Sequence, residues 1–289
     1  MQILGYFAAI LIGLSLGLVG SGGSILTVPV LVYLMGVNPL LATTSSLFIV
    51  GCTSLIGGLR AYSNKLIHFK AVTEFGLPSI FAIFITRHYL LPAIPHELFR
   101  VGDTLITKEI MLMVVFALLM LGASYSIMRH PNDIGLHAEE KERNGRAISM
   151  VLLGLGIGLI TGLLGAGGGF LIIPSLVLFL KLPMKTAVGT SLLLVAINSL
   201  FGFLFSLKQF EYDWTLLLTF TVLSGIGIFI GSRLAEKIPG NKLKKAFGWF
   251  VLIMAVFILV KEIFLLGGSI EGLVPPSVEV LMRKKLGRT

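Results

Sequence analysis

Ten runs of apolar residues divide the chain, at about 3–19, 25–35, 40–59, 71–86, 109–127, 148–164, 170–180, 186–207, 214–232 and 246–267. Crossing some 30 Å of hydrocarbon takes a helix of about 20 residues, and most of these runs approach that length. None alternates apolar and polar positions as a barrel strand would. Backbone groups in lipid must be satisfied within their own segment, so the pattern predicts helices and an all-α polytopic membrane protein. Two runs, 25–35 and 170–180, are too short to span alone. Each follows a glycine cluster, Gly20-Ser21-Gly22-Gly23-Ser24 or Gly165-Ala166-Gly167-Gly168-Gly169, and each carries a proline at the matching place, Pro29 or Pro174.

An offset of 145 residues aligns the two clusters and much of what surrounds them. Gly17, Gly20, Gly22, Gly23, Pro29, Ala42, Ser46, Ser54 and Gly57 meet identical residues at Gly162, Gly165, Gly167, Gly168, Pro174, Ala187, Ser191, Ser199 and Gly202. Leucines coincide easily in apolar helices, whereas glycine, proline and serine at one fixed offset signal an internal repeat. The expected organisation is a first membrane repeat over 1–128, a linker over 129–147, a second repeat over 148–268 and a basic tail over 269–289. If each glycine cluster is the bend of a helical hairpin, each half holds that hairpin plus three transmembrane helices. Five passes per half make the second repeat inverted relative to the first. In this arrangement 60–70, 128–147, 181–185 and 233–245 share the face richer in Lys and Arg, which places the linker in the cytoplasm. The apolar N-terminus lacks a basic leader and is expected to be retained structure, not a signal peptide.

Composition narrows the class. Charged residues make up 13% of the chain and mean hydropathy is +0.96, leaving too little polar surface for a water-soluble globule. The net charge of +9 sits between apolar runs, where it orients the chain in a bilayer and does not form a nucleic-acid surface. The one cysteine, Cys52, excludes an intramolecular disulfide. His68, His88, His96, His130 and His137 fall in loops or at segment ends, so no metal site, cofactor or enzyme constellation is expected. No phosphate-cradling nucleotide loop is present either.

Paired interrupted helices in two repeats point to a transporter-type site near the midplane. A half-helix beginning inside the membrane aims free N–H groups and partial positive charge at the gap, a ready anion site. Backbone donors are expected from Gly22, Gly23, Ser24, Gly167, Gly168 and Gly169, with helices starting near Ser24 and Gly169. Side-chain contacts are expected from Thr44, Ser45, Thr190, Ser191 and Asn198, within a polar set that includes Thr43, Ser46, Thr53, Ser54 and Ser199. Charge looks nearly absent from segment interiors. Glu74, Arg87 and Lys185 are expected to snorkel to the interface, so the anion site would need no buried arginine. No carboxylate relay is expected, and the coupling ion stays open.

The stretches Gly17-Leu18-Val19-Gly20-Ser21-Gly22-Gly23-Ser24-Ile25-Leu26-Thr27-Val28-Pro29 and Gly162-Leu163-Leu164-Gly165-Ala166-Gly167-Gly168-Gly169-Phe170-Leu171-Ile172-Ile173-Pro174 resemble the paired signatures of the TauE/SafE family of sulfite and organosulfonate exporters. Ala42-Thr43-Thr44-Ser45-Ser46 and Ala187-Val188-Gly189-Thr190-Ser191 resemble the family's second block, and the likeness runs over about 5–265. It implies a multi-pass permease of a prokaryotic plasma membrane moving small sulfur oxyanions or sulfonates. The first copy departs from the glycine-rich form at Ser21 and Ser24, so the two half-sites are expected to be unequal. A passive anion channel and a non-enzymatic lipid-binding assembly subunit stand as alternatives. The segment 91–108 is long for a loop, with no role assigned.

Overall fold

A computed structural model describes residues 2–95, 97–101, 104–129, 143–165, 167–180, 182–235 and 240–267. Most of the expected linker and the whole of the tail lie outside the described residues. The helices are α1 (Gln2–Val19), α2 (Thr27–Tyr33), α3 (Pro39–Ser63), α4 (Phe69–Ile85), α5 (Leu91–Ala93), α6 (Lys108–Arg129), α7 (Arg143–Leu164), α8 (Gly169–Leu180), α9 (Met184–Ser206), α10 (Trp214–Ala235) and α11 (Gly240–Gly267). Among the described residues, Pro39–Ser63, Phe69–Ala93, Lys185–Ser206 and Trp214–Leu234 are long and apolar enough to cross a membrane. Leu4–Val19, Gly23–Tyr33 and Ile148–Leu164 are shorter apolar helices.

The helix ends follow local chemistry. Asn38 caps α3, its side chain accepting from the Leu40 N–H at 2.9 Å, and Pro39 occupies the first turn, where its missing donor is harmless. His68 caps α4 through Nδ1, which accepts from the Ala71 N–H at 3.1 Å. A π-helical turn, Thr86–Leu90, continues α4 into α5. Within the segment 91–108, β1 (Glu97–Val101) and β2 (Thr104–Thr107) pair antiparallel, the one addition to the helical pattern among the described residues. The Lys108 ammonium donates to the carbonyls of Leu91 and Ile94, closing the C-terminal end of α5.

The chain doubles back at both glycine clusters, as the hairpin reading expects. A Cβ at Gly23 would meet Ser15 and Leu16 of α1, and Met35 beyond α2 lies against Gly5. Likewise Gly168 faces Thr161 and Ile157 of α7. α1 packs along α10, α4 along α7, α3 along α9 and α6 along α11. The α4–α7 seam is close because glycine lets backbones touch: a Cβ at Gly158 would stand 2.5 Å from the Ser79 carbonyl oxygen, and one at Gly154 would stand 2.5 Å from that of Phe75. Gly158→Val should therefore lower stability by about 1–3 kcal/mol through overpacking, read as a lower thermal midpoint in detergent. Side chains such as Phe7, Leu77, Phe81, Leu152, Leu204, Val222 and Ile253 are exposed, forming an apolar outer surface suited to lipid.

Candidate functional site

The two glycine breaks come from separate halves of the chain and meet inside the molecule. Gly20 and Gly165, which share one register in the repeat, both take left-handed backbone, at φ 78° and 71°. Gly167 and Gly168 do so too, at 68° and 67°, a region that side chains enter at a steric cost. The hydroxyl of Ser21 donates to the Gly169 carbonyl at 3.2 Å, joining one break to the other. Around them, Gly20 lies against Val188 of α9, Gly165 against the Thr43 backbone of α3, and Gly167 against Ser199, Val195 and Val50. The single O–H of Ser46 is shared between the carbonyls of Gly165 at 2.5 Å and Thr43 at 2.9 Å.

The breaks are unequal. In the second, α8 starts at Gly169 as expected, after a turn with three left-handed glycines. In the first, a 3-10 helix over Gly20–Leu26 runs directly into α2, so Ser24 lies inside continuous helical backbone whose α-helical part begins at Thr27. Ser24 Oγ donates to the Ser21 carbonyl at 2.8 Å within that turn, a bond that Gly169, at the matching place in the second break, has no hydroxyl to make. Gly22 and Gly23 lie within the 3-10 segment.

Every predicted side-chain contact is buried, but they do not all gather at one point. Helices α3 and α9 run antiparallel: Leu47 neighbours Gly202, Gly51 neighbours Leu200, Gly58 neighbours Leu193, and Ala61 neighbours Gly189. Thr44 and Ser45 therefore lie toward one end of the pair, between Thr43 and Ser46, the two residues that meet Gly165. Thr190 and Ser191 lie toward the other, where Thr190 Oγ1 accepts from the His68 N–H at 3.0 Å and Ser191 Oγ donates to the Val188 carbonyl at 2.8 Å. Asn198 and Ser199 stand between, beside Gly167 in the case of Ser199. Both amide atoms of Asn198, and the hydroxyls of Ser199, Ser54 and Thr161, are buried without a hydrogen-bond partner in the protein. Buried polar groups are normally satisfied, and two of these, Ser199 and Thr161, lie against the glycine turn at Gly167 and Gly168.

Two charged side chains correct the expectation that charge is missing from the interior. Arg87 does not snorkel; it is 0% exposed. The apolar run stops at 86, but the helical course continues through the π turn to Ala93, placing Arg87 about 9 Å inside that end. Its Nη1 donates to Thr44 Oγ1 at 3.0 Å and to Thr43 Oγ1 at 3.5 Å, and its carbonyl accepts from Gln209 Nε2 at 3.1 Å. Glu262, inside the last run, is 4% exposed and accepts from the Tyr33 hydroxyl at 2.7 Å, while Lys261 Nζ lies 4.1 Å from the Tyr33 ring centroid. Both residues are legible as charges within or beside an apolar run; the segment boundary concealed the first. In the 207–213 turn above Arg87, burial pushes the Tyr212 phenol up to about 12, with the guanidinium pulling the other way, so the ring is neutral and donates to the Ser206 carbonyl at 2.9 Å. Among the described residues no three His, Cys, Asp or Glu side chains converge to hold a metal.

This geometry can be set beside known proteins. The model of the sulfite exporter TauE/SafE family matches residues 5–258. The chain belongs to the TauE/SafE family. Similar TauE/SafE relatives include two proteins from Xylella fastidiosa, each named "Probable membrane transporter protein". One, from strain 9a5c, is 29% identical over 254 residues, covering 86% of this chain and 91% of the relative. The other, from strain Temecula1, is 31% identical over 256 residues with the same coverage. "Probable membrane transporter protein YjnA" of Bacillus subtilis is 27% identical over 265 residues, covering 88% of this chain and 96% of its own. No solved structure matches. This TauE/SafE chain is thus a multi-pass membrane protein of a transporter family.

Proposed function

We propose that this protein is a secondary transporter of small anions, sulfite and sulfonates foremost, in the plasma membrane of a prokaryote. It works by alternating access around the contact between its two glycine breaks. One observation carries this reading: Ser21 of the first break bonds Gly169 of the second amid buried polar atoms that have no protein partner. Left-handed glycines hold the backbone open there, and α8 begins at that point with its positive end inward. The family and its relatives' names agree with transport.

The packing supports an inverted repeat as the machinery. Under the 145-residue offset, α1 on α10 corresponds to α7 on α4, and Gly13 on Ser224 corresponds to Gly158 on Ser79. The pair α3–α9 joins equivalents under the same offset, and α6–α11 joins the last helices of the two halves. Two halves related this way can rock about a shared centre and open it to each side in turn. Purified protein in proteoliposomes should carry radiolabelled sulfite with saturable kinetics, and sulfite on the far side should accelerate it. Flux that rises without saturation would instead indicate a channel; no flux of sulfite or of small sulfonates would sink the reading.

A further inference from the structure

We propose that Arg87 grips the transported anion through a side-on fork, its Nε–H and Nη2–H taking two oxygens from one centre, so that the ligand is an oxyanion such as a sulfonate or sulfite rather than a halide. This rests on the transport reading above and names the charge that reading lacks. Three features of the guanidinium lead to it. It is fully buried, and among the described residues no carboxylate lies within ion-pair distance of it. A buried cation left unpaired is costly, and side chains of this kind inside membranes mark ligand paths. Next, its donors are divided. Nη1 is committed to Thr44 and Thr43, whereas Nε and Nη2 have no acceptor in the protein. Those two nitrogens form one edge of the planar group, with parallel N–H bonds spaced for the two oxygens of a carboxylate, sulfonate or sulfite. The threonines fix the opposite side, so the free edge is oriented before a ligand arrives.

Position completes the case. Thr43, which takes part in holding Nη1, presents its backbone to Gly165, and Thr86 lies against Gly162. Arg87 therefore stands beside the second break, at the end of the α3–α9 pair covered by Gln209 and Tyr212. An anion held on this fork would sit one step from the glycine turn.

The test uses the full chain in detergent, with sulfite, methanesulfonate and chloride as probes, read by thermal shift and by sulfite counterflow in proteoliposomes. Wild type should be stabilised by sulfite and methanesulfonate and far less by chloride. Arg87→Lys keeps the charge but loses the fork. It should weaken sulfite and methanesulfonate binding at least tenfold and erase the preference over chloride. Arg87→Gln should abolish the anion response, while the ligand-free protein unfolds at an equal or higher temperature because an unpaired buried cation has gone. A purely structural arginine would give a lower temperature. If Arg87→Gln does not fold, Arg87→Lys carries the test. Sulfite affinity within twofold of wild type in either variant overturns the assignment, and if wild-type flux persists the transport reading stands without it. Equal stabilisation by chloride overturns the oxyanion fork. Wild type with neither flux nor a response to any probe removes both readings together.

Discussion

Gly168→Leu is expected to abolish sulfite flux in proteoliposomes while the protein still inserts and purifies. Two separate penalties meet at this position. Its backbone sits at φ 67°, where an L side chain costs about 1–2 kcal/mol. A Cβ there would also collide with the Thr161 hydroxyl and stand 3.1 Å from Ile157 Cγ2, in the cleft between the glycine turn and α7. Overpacking of that kind adds about 1–3 kcal/mol. The turn can relieve both only by moving, and moving it displaces the start of α8 from Ser21. The double variant Gly168→Ala with Thr161→Ala separates the causes. It removes the clash but keeps the left-handed strain, so it should restore part of the stability lost in Gly168→Ala. Normal flux through Gly168→Leu would show that the turn is scaffolding and not site.

The helical plan was legible because lipid imposes it. Each apolar run appears as a helix, and the paired glycines, read as bends, are places where the chain reverses against Ser15 and Thr161. What could not be read depends on contacts between distant segments. The threonines near 43 and 190 are alike in sequence, yet antiparallel partners carry equal positions to opposite ends, so Thr44 and Thr190 cannot share one small ligand at rest. The donation from Ser21 to Gly169 spans 148 residues and has no local signature. Arg87 escaped because hydropathy ended its segment at 86, whereas a π turn carried the helix onward and turned the side chain toward Thr44. In the first break Ser24 bonds back to the Ser21 carbonyl and Ser21 reaches across to Gly169; the sequence marks both residues as different without saying what the hydroxyls do. Arg87 is fully buried beside the second break, whereas near the first Arg60 bonds Ser232, the repeat counterpart of Arg87, from a half-buried position, so the two sides are built differently even where the repeat is closest.

Replacing Asn198 by leucine should make the protein more stable and less active at once. Its carboxamide is fully buried on α9, and neither Oδ1 nor Nδ2 has a protein partner. Each such group forfeits about 1–3 kcal/mol of lost hydration. Leucine keeps the branched skeleton without polar atoms; its methyls are bulkier than the amide, which offsets part of the gain, so folding should gain about 1 kcal/mol, seen as a higher thermal midpoint. The repeat counterpart shows the contrast: Thr53 satisfies itself by donating to the Ile49 carbonyl at 2.7 Å, and its loss should leave stability nearly unchanged. Under the proposed transport function, this unsatisfied amide is a binding position whose cost in stability is kept for the anion. Sulfite flux through Asn198→Leu should therefore fall at least tenfold, with the neighbouring Ser199→Ala showing a smaller loss in the same direction. A destabilised variant that transports at the wild-type rate would assign Asn198 to packing and leave Gly167 and Arg87 as the groups that meet the anion.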